Sequence, residues 1–208
     1  MTIKGLIDFH PVKIMRAIAC NKLSVKVKSL CLIIGFSLVT HPSFAASFSD
    51  HQIKAVFLFN FASFVRWPET SFGAETSPFV FCASNAHSPT IKTLRQVIEG
   101  ESVGSHKLVL KVPFEPADLA SCHILFLEES DLPRYQDILP RLSTGSLLTV
   151  SDTANFVDSG GLIELVQHKA QIQPTINTSQ LEQSKLSISS TLLRLANIYR
   201  TPETGETP

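Results

Sequence analysis

The sequence predicts an α/β fold: a layered sandwich in which helices flank a central mixed, partly parallel sheet. Short apolar runs at Phe79–Ala83, His123–Leu127 and Leu147–Val150 have the length and composition of buried strands. Segments with helical features, Pro89–Ile98 and Ser130–Leu142, lie between them. Because strands that alternate with helices pair through crossovers, we expect these strands to share one sheet.

The stretch from Gly145 to Val166 predicts a packed strand–turn–strand unit around which the fold is built. Its first strand, Leu147–Val150, ends at turn-forming residues. Gly160-Gly161 then allow a turn with positive φ, and a second apolar run, Leu162–Val166, follows. The segment Gln171–Ile176 is placed to pair with this second run.

An amphipathic helix with an aromatic face is predicted near residue 50. Asp50 is its candidate N-cap, and Trp67-Pro68 ends it, because proline disfavours helix at the preceding residue. Leu58 and Phe59 widen the apolar stripe beyond what one packed face needs. We expect most of the stripe to be core and part of it to bind a partner. The stripe consists of Ile53, Val56, Phe57, Asn60, Phe61 and Phe64.

Three further elements complete the prediction. Leu108–Val112 is predicted as a second strand. Ser179 and Glu182 have the spacing of a capping box and open a short helix. An apolar set that begins after Ser189 and extends to Ile198 predicts a closing amphipathic helix.

The N-terminal region has the layout of a secretory signal. Lys26 and Lys28 supply positive charge, and the apolar run Leu30–Val39 is ten residues long, half of the ~20 that span a bilayer. Small residues precede a cleavage site after Ala45. The alternative is an uncleaved membrane anchor.

Cleavage defines the predicted domain organisation. Residues 1–45 are the signal peptide, residues 46–200 form one exported domain in the periplasm, and residues 201–208 form a disordered tail. Translation from Met15 would give a more ordinary signal than translation from Met1.

The charge of the exported part argues against nucleic-acid binding. The whole chain has 18 basic and 18 acidic side chains, but six basic residues and one acid lie in residues 1–45. The remainder carries a net charge of −5 and contains no Lys/Arg cluster. A mildly acidic exported domain is poorly suited to phosphate backbones.

Two cysteines, Cys82 and Cys122, remain after cleavage. An oxidising compartment favours a disulfide between them, and parallel neighbouring strands would bring them together near strand ends. Two buried free thiols are the alternative. A metal site is disfavoured because neither a CxxC nor an HxxxH spacing accompanies them.

The sequence indicates no catalytic machinery. It contains no P-loop, no G-x-G-x-x-G after a strand and no G-x-S-x-G elbow. No histidine of the exported part has an i, i+4 partner suited to a metal, so each is interpreted as an ordinary surface or satisfied histidine. We therefore predict no catalytic residue, no metal ligand and no cofactor.

Acidic residues after two predicted strands are the closest approach to a site. Asp152 follows one strand, and Glu128, Glu129 and Asp131 follow another. Asp152 is expected to cap the next turn, and the other three to form a solvated loop. Cation binding is the alternative for those three residues, and a small-ligand pocket near Asp152, at this carboxyl edge of the sheet, is a competing hypothesis.

Five sequence blocks in order resemble one family. They are IKAVFLFNFASFVRWPE (Ile53–Glu69), FVFC (Phe79–Cys82), CHILFL (Cys122–Leu127), LLTVSDTANFVDSGGLIELV (Leu147–Val166) and ISSTLLRLA (Ile188–Ala196). This set resembles the YfiR family of small bacterial periplasmic proteins.

The resemblance implies a non-enzymatic repressor. Such a protein would bind the periplasmic sensor region of an inner-membrane, YfiN-type GGDEF diguanylate cyclase and so control cyclic di-GMP and biofilm formation. The resemblance also implies release by an outer-membrane OmpA-like lipoprotein, a homodimer, and a disulfide between Cys82 and Cys122. A sensory module that binds a small ligand and acts on a histidine kinase is the alternative.

The partner-binding residues are predicted from excess apolar character on two helices. Phe57, Phe59 and Trp67 represent the first helix. Leu192, Arg194 and Leu195 represent the closing helix.

Overall fold

The structure is a computed structural model that describes residues 48–112, 116–168 and 171–201. The predicted signal peptide, residues 1–45, lies outside the described residues. So does the predicted tail beyond Thr201. Both remain predictions.

The described residues form six α-helices and ten strands, with three short 3₁₀ turns at Glu69–Ser71, Pro116–Ser121 and Glu129–Asp131. The helices are α1 (Asp50–Phe64), α2 (Pro89–Val97), α3 (Leu132–Tyr135), α4 (Leu139–Leu142), α5 (Thr178–Gln183) and α6 (Ser190–Leu195). The strands are β1 (Val65–Arg66), β2 (Phe79–Ala83), β3 (Ser102–Val103), β4 (His106–Lys111), β5 (Ile124–Leu127), β6 (Leu148–Ser151), β7 (Ile163–His168), β8 (Gln171–Asn177), β9 (Ser187–Ile188) and β10 (Asn197–Tyr199).

Eight of these strands form one mixed sheet in the order β10-β8-β7-β6-β5-β2-β4-β3. Strands β4, β2, β5, β6 and β7 are mutually parallel, β8 is antiparallel to β7, and β10 is parallel to β8. This confirms the predicted fold class. The two remaining strands, β1 and β9, form a separate antiparallel ladder.

Each face of the sheet has its own hydrophobic core. On one face, α1, which contributes Phe61, and α2 pack on alternate residues of the strands, including Phe79 and Phe126. On the other, a smaller cluster includes Leu125, Tyr135 and both cysteines. Every residue of β5 and β6 is buried, since these two central strands are covered on both faces.

The start and end of the first helix differ from the prediction. Its N-cap is Ser49, not Asp50: Ser49 has extended backbone, and its N–H donates to the Gln52 side chain at 2.9 Å. Asp50 instead lies in the first turn, where its negative charge interacts favourably with the positive end of the helix dipole. The helix ends at Phe64, before Trp67, because the backbone becomes extended at Val65, where β1 begins.

Three helix predictions need correction in the second half. The predicted helix Ser130–Leu142 is two one-turn helices, α3 and α4, because each of its prolines starts a new helix. The predicted closing helix stops at Leu195, and Ile198 lies in β10, which pairs with β8. Asn177, not Ser179, caps α5, since its side chain accepts from the Gln180 N–H at 3.0 Å.

The predicted central unit, Gly145 to Val166, is a crossover and not a hairpin, because β6 and β7 are parallel. The link between them folds back so that Phe156 is fully buried. Gly160 has a φ of 89°. Gly161 is required for space: a Cβ there would overlap the Phe156 ring.

Gly161→Ala tests this close approach. We expect it to lower the free energy of unfolding by about 1–3 kcal/mol, because the Phe156 ring must leave its site to admit the methyl group. Urea denaturation followed by circular dichroism measures the change. Gly145→Ala is the matched control, since its Cβ would lie 3.6 Å from the Leu142 carbonyl, an ordinary contact. Equal stabilities of the two variants would contradict the packing argument.

Candidate functional site

The first candidate surface is the α1 ridge, which comprises Phe48, Gln52, Ile53, Val56, Phe57 and Asn60. These residues line a shallow groove of about 290 Å³. Val56 is 45% exposed, and Phe48 is more exposed still. The ridge carries no charged side chain, so it offers apolar contact with amide groups at its margin.

The exposure of the ridge follows from which stripe of α1 is buried. The core side is formed by Ala55, Leu58, Phe61 and Ala62. Much of the predicted stripe therefore lies beside the core and not in it. Phe57 and Phe59 are half-buried and pack against the core with part of each ring accessible.

The second candidate surface is the C-terminal patch, which comprises Arg194, Leu195 and Ile198. Leu195 is 59% exposed and Ile198 is 50% exposed, and they lie on either side of the junction between α6 and β10. Among the predicted residues, Leu192 does not belong here. It is 2% exposed and packs into the core, because it faces the sheet from α6.

Trp67 lies in a different environment from either surface. Its ring is half-buried and meets the Phe79 ring edge-on, with 4.8 Å between centroids. This contact anchors the chain just after β1. Trp67 is therefore a packing residue with limited exposure, and it contributes little accessible area to a partner surface.

Four rings next to Trp67 form a continuous ring stack: His106, Phe72, His123 and Phe79. Phe72 stacks on His106 at 3.8 Å and on His123 at 4.6 Å between centroids. His123 stacks in turn on Phe79 at 4.7 Å. Sequence reasoning treated both histidines as ordinary, since the two lie on different strands or strand entrances and no local pattern links them.

His123 is a buried histidine whose pKa is strongly lowered. Its side chain is buried, and its Nδ1 accepts from the Val80 N–H at 3.1 Å. Burial lowers the pKa of His123 from 6.5 to about 4; the Ser71 backbone opposes this shift and the nearby His106 adds to it. The imidazole is therefore neutral at pH 7.

Two groups that contact the link between β6 and β7 have raised pKa values. Burial raises the pKa of Glu164, whose carboxylate accepts from the Val157 N–H at 3.4 Å. A hydrogen bond with the Asp158 side chain raises the pKa of Tyr199. Both contacts tie the link between β6 and β7 to neighbouring strands, so they serve the fold.

The acidic residues at the carboxyl edge are mostly engaged with the protein itself. Asp152 does not cap the turn; its carboxylate pairs with the Lys54 ammonium at 2.8 Å, and Ser151 accepts from the Thr153 N–H instead. Glu128 accepts from the Asn85 amide at 3.0 Å. Within the ranges described, His, Cys, Asp and Glu side chains form no group that could hold a metal ion.

The structure joins Cys82 to Cys122 in a disulfide, with 5.9 Å between their Cα atoms. Cys82 lies in β2, and Cys122 precedes the neighbouring parallel strand β5. Both are buried in the smaller core. The bond thus ties β2 to the entrance of β5, in agreement with the pairing that the resemblance implies.

Comparison with protein families gives one match. A family model described as YfiR/HmsC-like matches residues 51–197, which is most of the chain. No curated protein matches the chain. Over its described residues, the structure has no helix long and apolar enough to cross a membrane.

Loss of the disulfide should destabilise the domain. For the double variant Cys82→Ala/Cys122→Ala we expect the free energy of unfolding to fall by about 4 kcal/mol, because the bond closes a 40-residue loop in the unfolded chain. Urea denaturation measures the loss. A reductant should destabilise the natural protein and leave the double variant unchanged. Alkylation of both cysteines in unreduced, unfolded protein would contradict the bond.

Proposed function

Since this chain belongs to the YfiR/HmsC-like family, we propose that it represses an inner-membrane diguanylate cyclase of the YfiN type by binding the periplasmic sensor region of that enzyme. Members of the family are periplasmic regulators of diguanylate cyclases and are not catalysts. The family match over residues 51–197 carries the proposal. Cyclic di-GMP, and with it biofilm formation, would rise when repression is lost.

Repression of this kind is a shift of population. The regulator must bind the inactive state of the cyclase more tightly than the active state, since equal affinity for both would shift nothing. Moving the cyclase from about 1% to about 99% inactive needs a difference of about 10⁴-fold in affinity. The binding surface must therefore recognise a feature that differs between the two states.

We propose that the C-terminal patch is the main surface that binds the cyclase. Leu195 and Ile198 are both exposed apolar residues, three positions apart in sequence, and Arg194 next to Leu195 adds a cationic group. Interfaces bury such apolar side chains at their centre and place charged groups at the rim. The α1 ridge, with Phe57 and Phe59, is the second proposed contact.

Two further partners belong to the same proposal. An outer-membrane OmpA-like lipoprotein would sequester the regulator and so release the cyclase. A second copy of the chain would form a homodimer. Export to the periplasm, with cleavage after Ala45, is required for all three contacts.

A small-ligand sensory module acting on a histidine kinase is the second candidate function. A shallow depression at the carboxyl edge of the sheet, lined by Glu128, Glu129 and Asp152, favours it. Thermal denaturation against a panel of metabolites tests it, because a ligand that binds only the folded state raises the melting temperature. A rise of several degrees with one compound supports this function; no rise with any compound contradicts it.

Deletion of the gene should raise intracellular cyclic di-GMP. Complementation with the full-length gene should restore the low level, and a version that lacks residues 1–45 should not, because it stays in the cytoplasm. Mass spectrometry of cell extracts measures the nucleotide. An unchanged level in the deletion strain would contradict the cyclase link.

Leu195→Glu should weaken repression while the fold is retained. A carboxylate placed in an apolar contact must be desolvated, which costs at least ~2 kcal/mol and corresponds to about 30-fold weaker binding. Cyclic di-GMP in complemented strains measures repression, and melting temperatures check folding. Val109→Glu is the control, since Val109 is also an exposed apolar residue but lies on β4. Equal repression by both variants would exclude the C-terminal patch.

A further inference from the structure

The segment from Trp67 to Ser77, here called the strap, connects β1 to β2 and is held by contacts with histidines. Its Phe72 ring lies between the rings of His106 and His123. The His106 Nδ1–H donates to the Ser77 carbonyl at 2.7 Å. The hydroxyl of Ser105 donates to the Glu75 carbonyl, also at 2.7 Å. The described strap contains only 3₁₀ and irregular structure, so side-chain contacts such as these, together with the contact between the Trp67 and Phe79 rings, hold it against the sheet.

His123 can hold the strap only in its neutral form. Its Nδ1 accepts a hydrogen bond from the Val80 N–H, so this nitrogen carries no proton and the ring proton sits on Nε2. A second proton would have to bind at Nδ1, where it would face the Val80 N–H. Protonation therefore replaces a hydrogen bond with a repulsive contact inside a site that is 4% exposed.

The groups around His123 do not neutralise the resulting cation. Phe79, Phe72 and Trp67, from β2 and the strap, are uncharged rings. The titratable neighbour from β4 is His106, whose charge would repel that of His123. The two carboxylates of the strap, Glu69 and Glu75, are exposed, and they line a shallow cavity together with Phe72 and His106.

We propose that the ring stack is an acid-sensitive latch: protonation of His123 at Nδ1 releases Phe72 and frees the strap, while the parallel sheet stays folded. The proton comes from hydronium in the solvent: an O–H bond of hydronium breaks to leave water, the Nδ1–H bond forms, and no covalent bond of the protein breaks. Release exposes the imidazolium to water and lets the Val80 N–H find a new acceptor.

The direction of the effect follows from the two protonation equilibria. The pKa of His123 is about 4 with the latch closed and returns to its ordinary 6.5 when the ring is solvated. The latch is fully stable above pH 6.5, weakens as the pH falls, and reaches its limit near pH 4. Across this window the equilibrium between closed and open strap shifts by about 300-fold toward open. Glu164, whose raised pKa favours its protonated form, opposes acid release and cannot cause it.

Opening of the strap would affect the C-terminal patch through the β1–β9 ladder. The strap begins directly after β1, and Val65 of β1 pairs with Ile188 of β9. The Ser189 N–H, at the start of α6, donates to the Phe64 carbonyl at 2.9 Å. Movement at Trp67 therefore acts on the segment that positions α6. If the proposed function holds, acidification of the periplasm weakens repression.

The fluorescence of Trp67 tests the latch directly, since the sequence contains one tryptophan and its ring lies 6.4 Å from His123. The protein purified after export is titrated from pH 8 to pH 3.5. We expect the emission to change with a midpoint between pH 4 and pH 6.5. Far-UV circular dichroism should stay constant through that change. Hydrogen exchange should accelerate in peptides from residues 67–78 and not in β5 or β6.

Two variants assign the proton. His123→Gln keeps a hydrogen-bond acceptor for Val80 but cannot be protonated, so its emission should not change over this range. His87→Gln is the control, because His87 is an exposed histidine on a loop, and it should behave as the natural protein. If His123→Gln does not fold, NMR titration of His123 in the natural protein replaces it, and its midpoint should coincide with that of strap exchange.

Three results would overturn the latch. They are an acid transition that persists in His123→Gln, loss of secondary structure at the same pH as the emission change, and an NMR midpoint separated from that of strap exchange. None of these measurements involves a partner protein. Failure of the cyclase experiments would therefore leave the latch standing, and failure of the latch would leave the proposed repression standing.

Discussion

Burial of β5 and β6 on both faces is the constraint on which the rest of the structure depends. These strands have no residue exposed to water, so both faces of the sheet must be covered. One face is covered by α1 and α2, and the other by the shorter α3 and α4 with the link that carries Phe156. The disulfide ties the entrance of β5, one of these two strands, to the neighbouring strand β2. Away from these strands the cover is less complete: β10 is an edge strand of the sheet, and Ile198 of β10 and Leu195 of α6 are exposed.

The first and last parts of the described chain are coupled by backbone pairing. The β1–β9 ladder and the bond from Ser189 to the Phe64 carbonyl join the end of α1 to the start of α6. The α1 ridge and the C-terminal patch therefore rest on one connected unit, although more than a hundred residues separate them in sequence. A regulator needs such a connection if an event at one place is to change what a partner meets at another. The strap begins at this unit, which is why the ring stack bears on the C-terminal patch.

The sequence predicted what local pattern controls and missed what distant contacts control. Apolar runs located β2, β5 and β6 within one residue at each end, because a strand buried on both faces needs consecutive apolar residues. The predicted stripe of α1 is rotated from the buried one: Phe61 belongs to both, but an apolar helix offers several stripes, and only the packed structure selects Ala55 and Leu58. Leu192 and Leu195 are the same residue type, three positions apart in α6, yet Leu192 is buried and Leu195 is exposed. The ring stack joins residues up to 51 positions apart, so no local pattern predicts it. Its one sequence signal is His123, which directly precedes an apolar strand.

The chemistry of His123 explains why an acid-sensitive group occupies a buried position at all. The site demands a flat ring that stacks between Phe72 and Phe79 and an acceptor for the Val80 N–H. Phenylalanine would stack but leave that N–H without a partner, and an amide would accept the bond but stack poorly. Imidazole meets both demands. It also binds a proton in acid, and the folded site disfavours that protonated form. Acid sensitivity is therefore a consequence of how the strap is fastened. Because the strap leads into the β1–β9 ladder, that sensitivity extends to α6 and the surface that it carries.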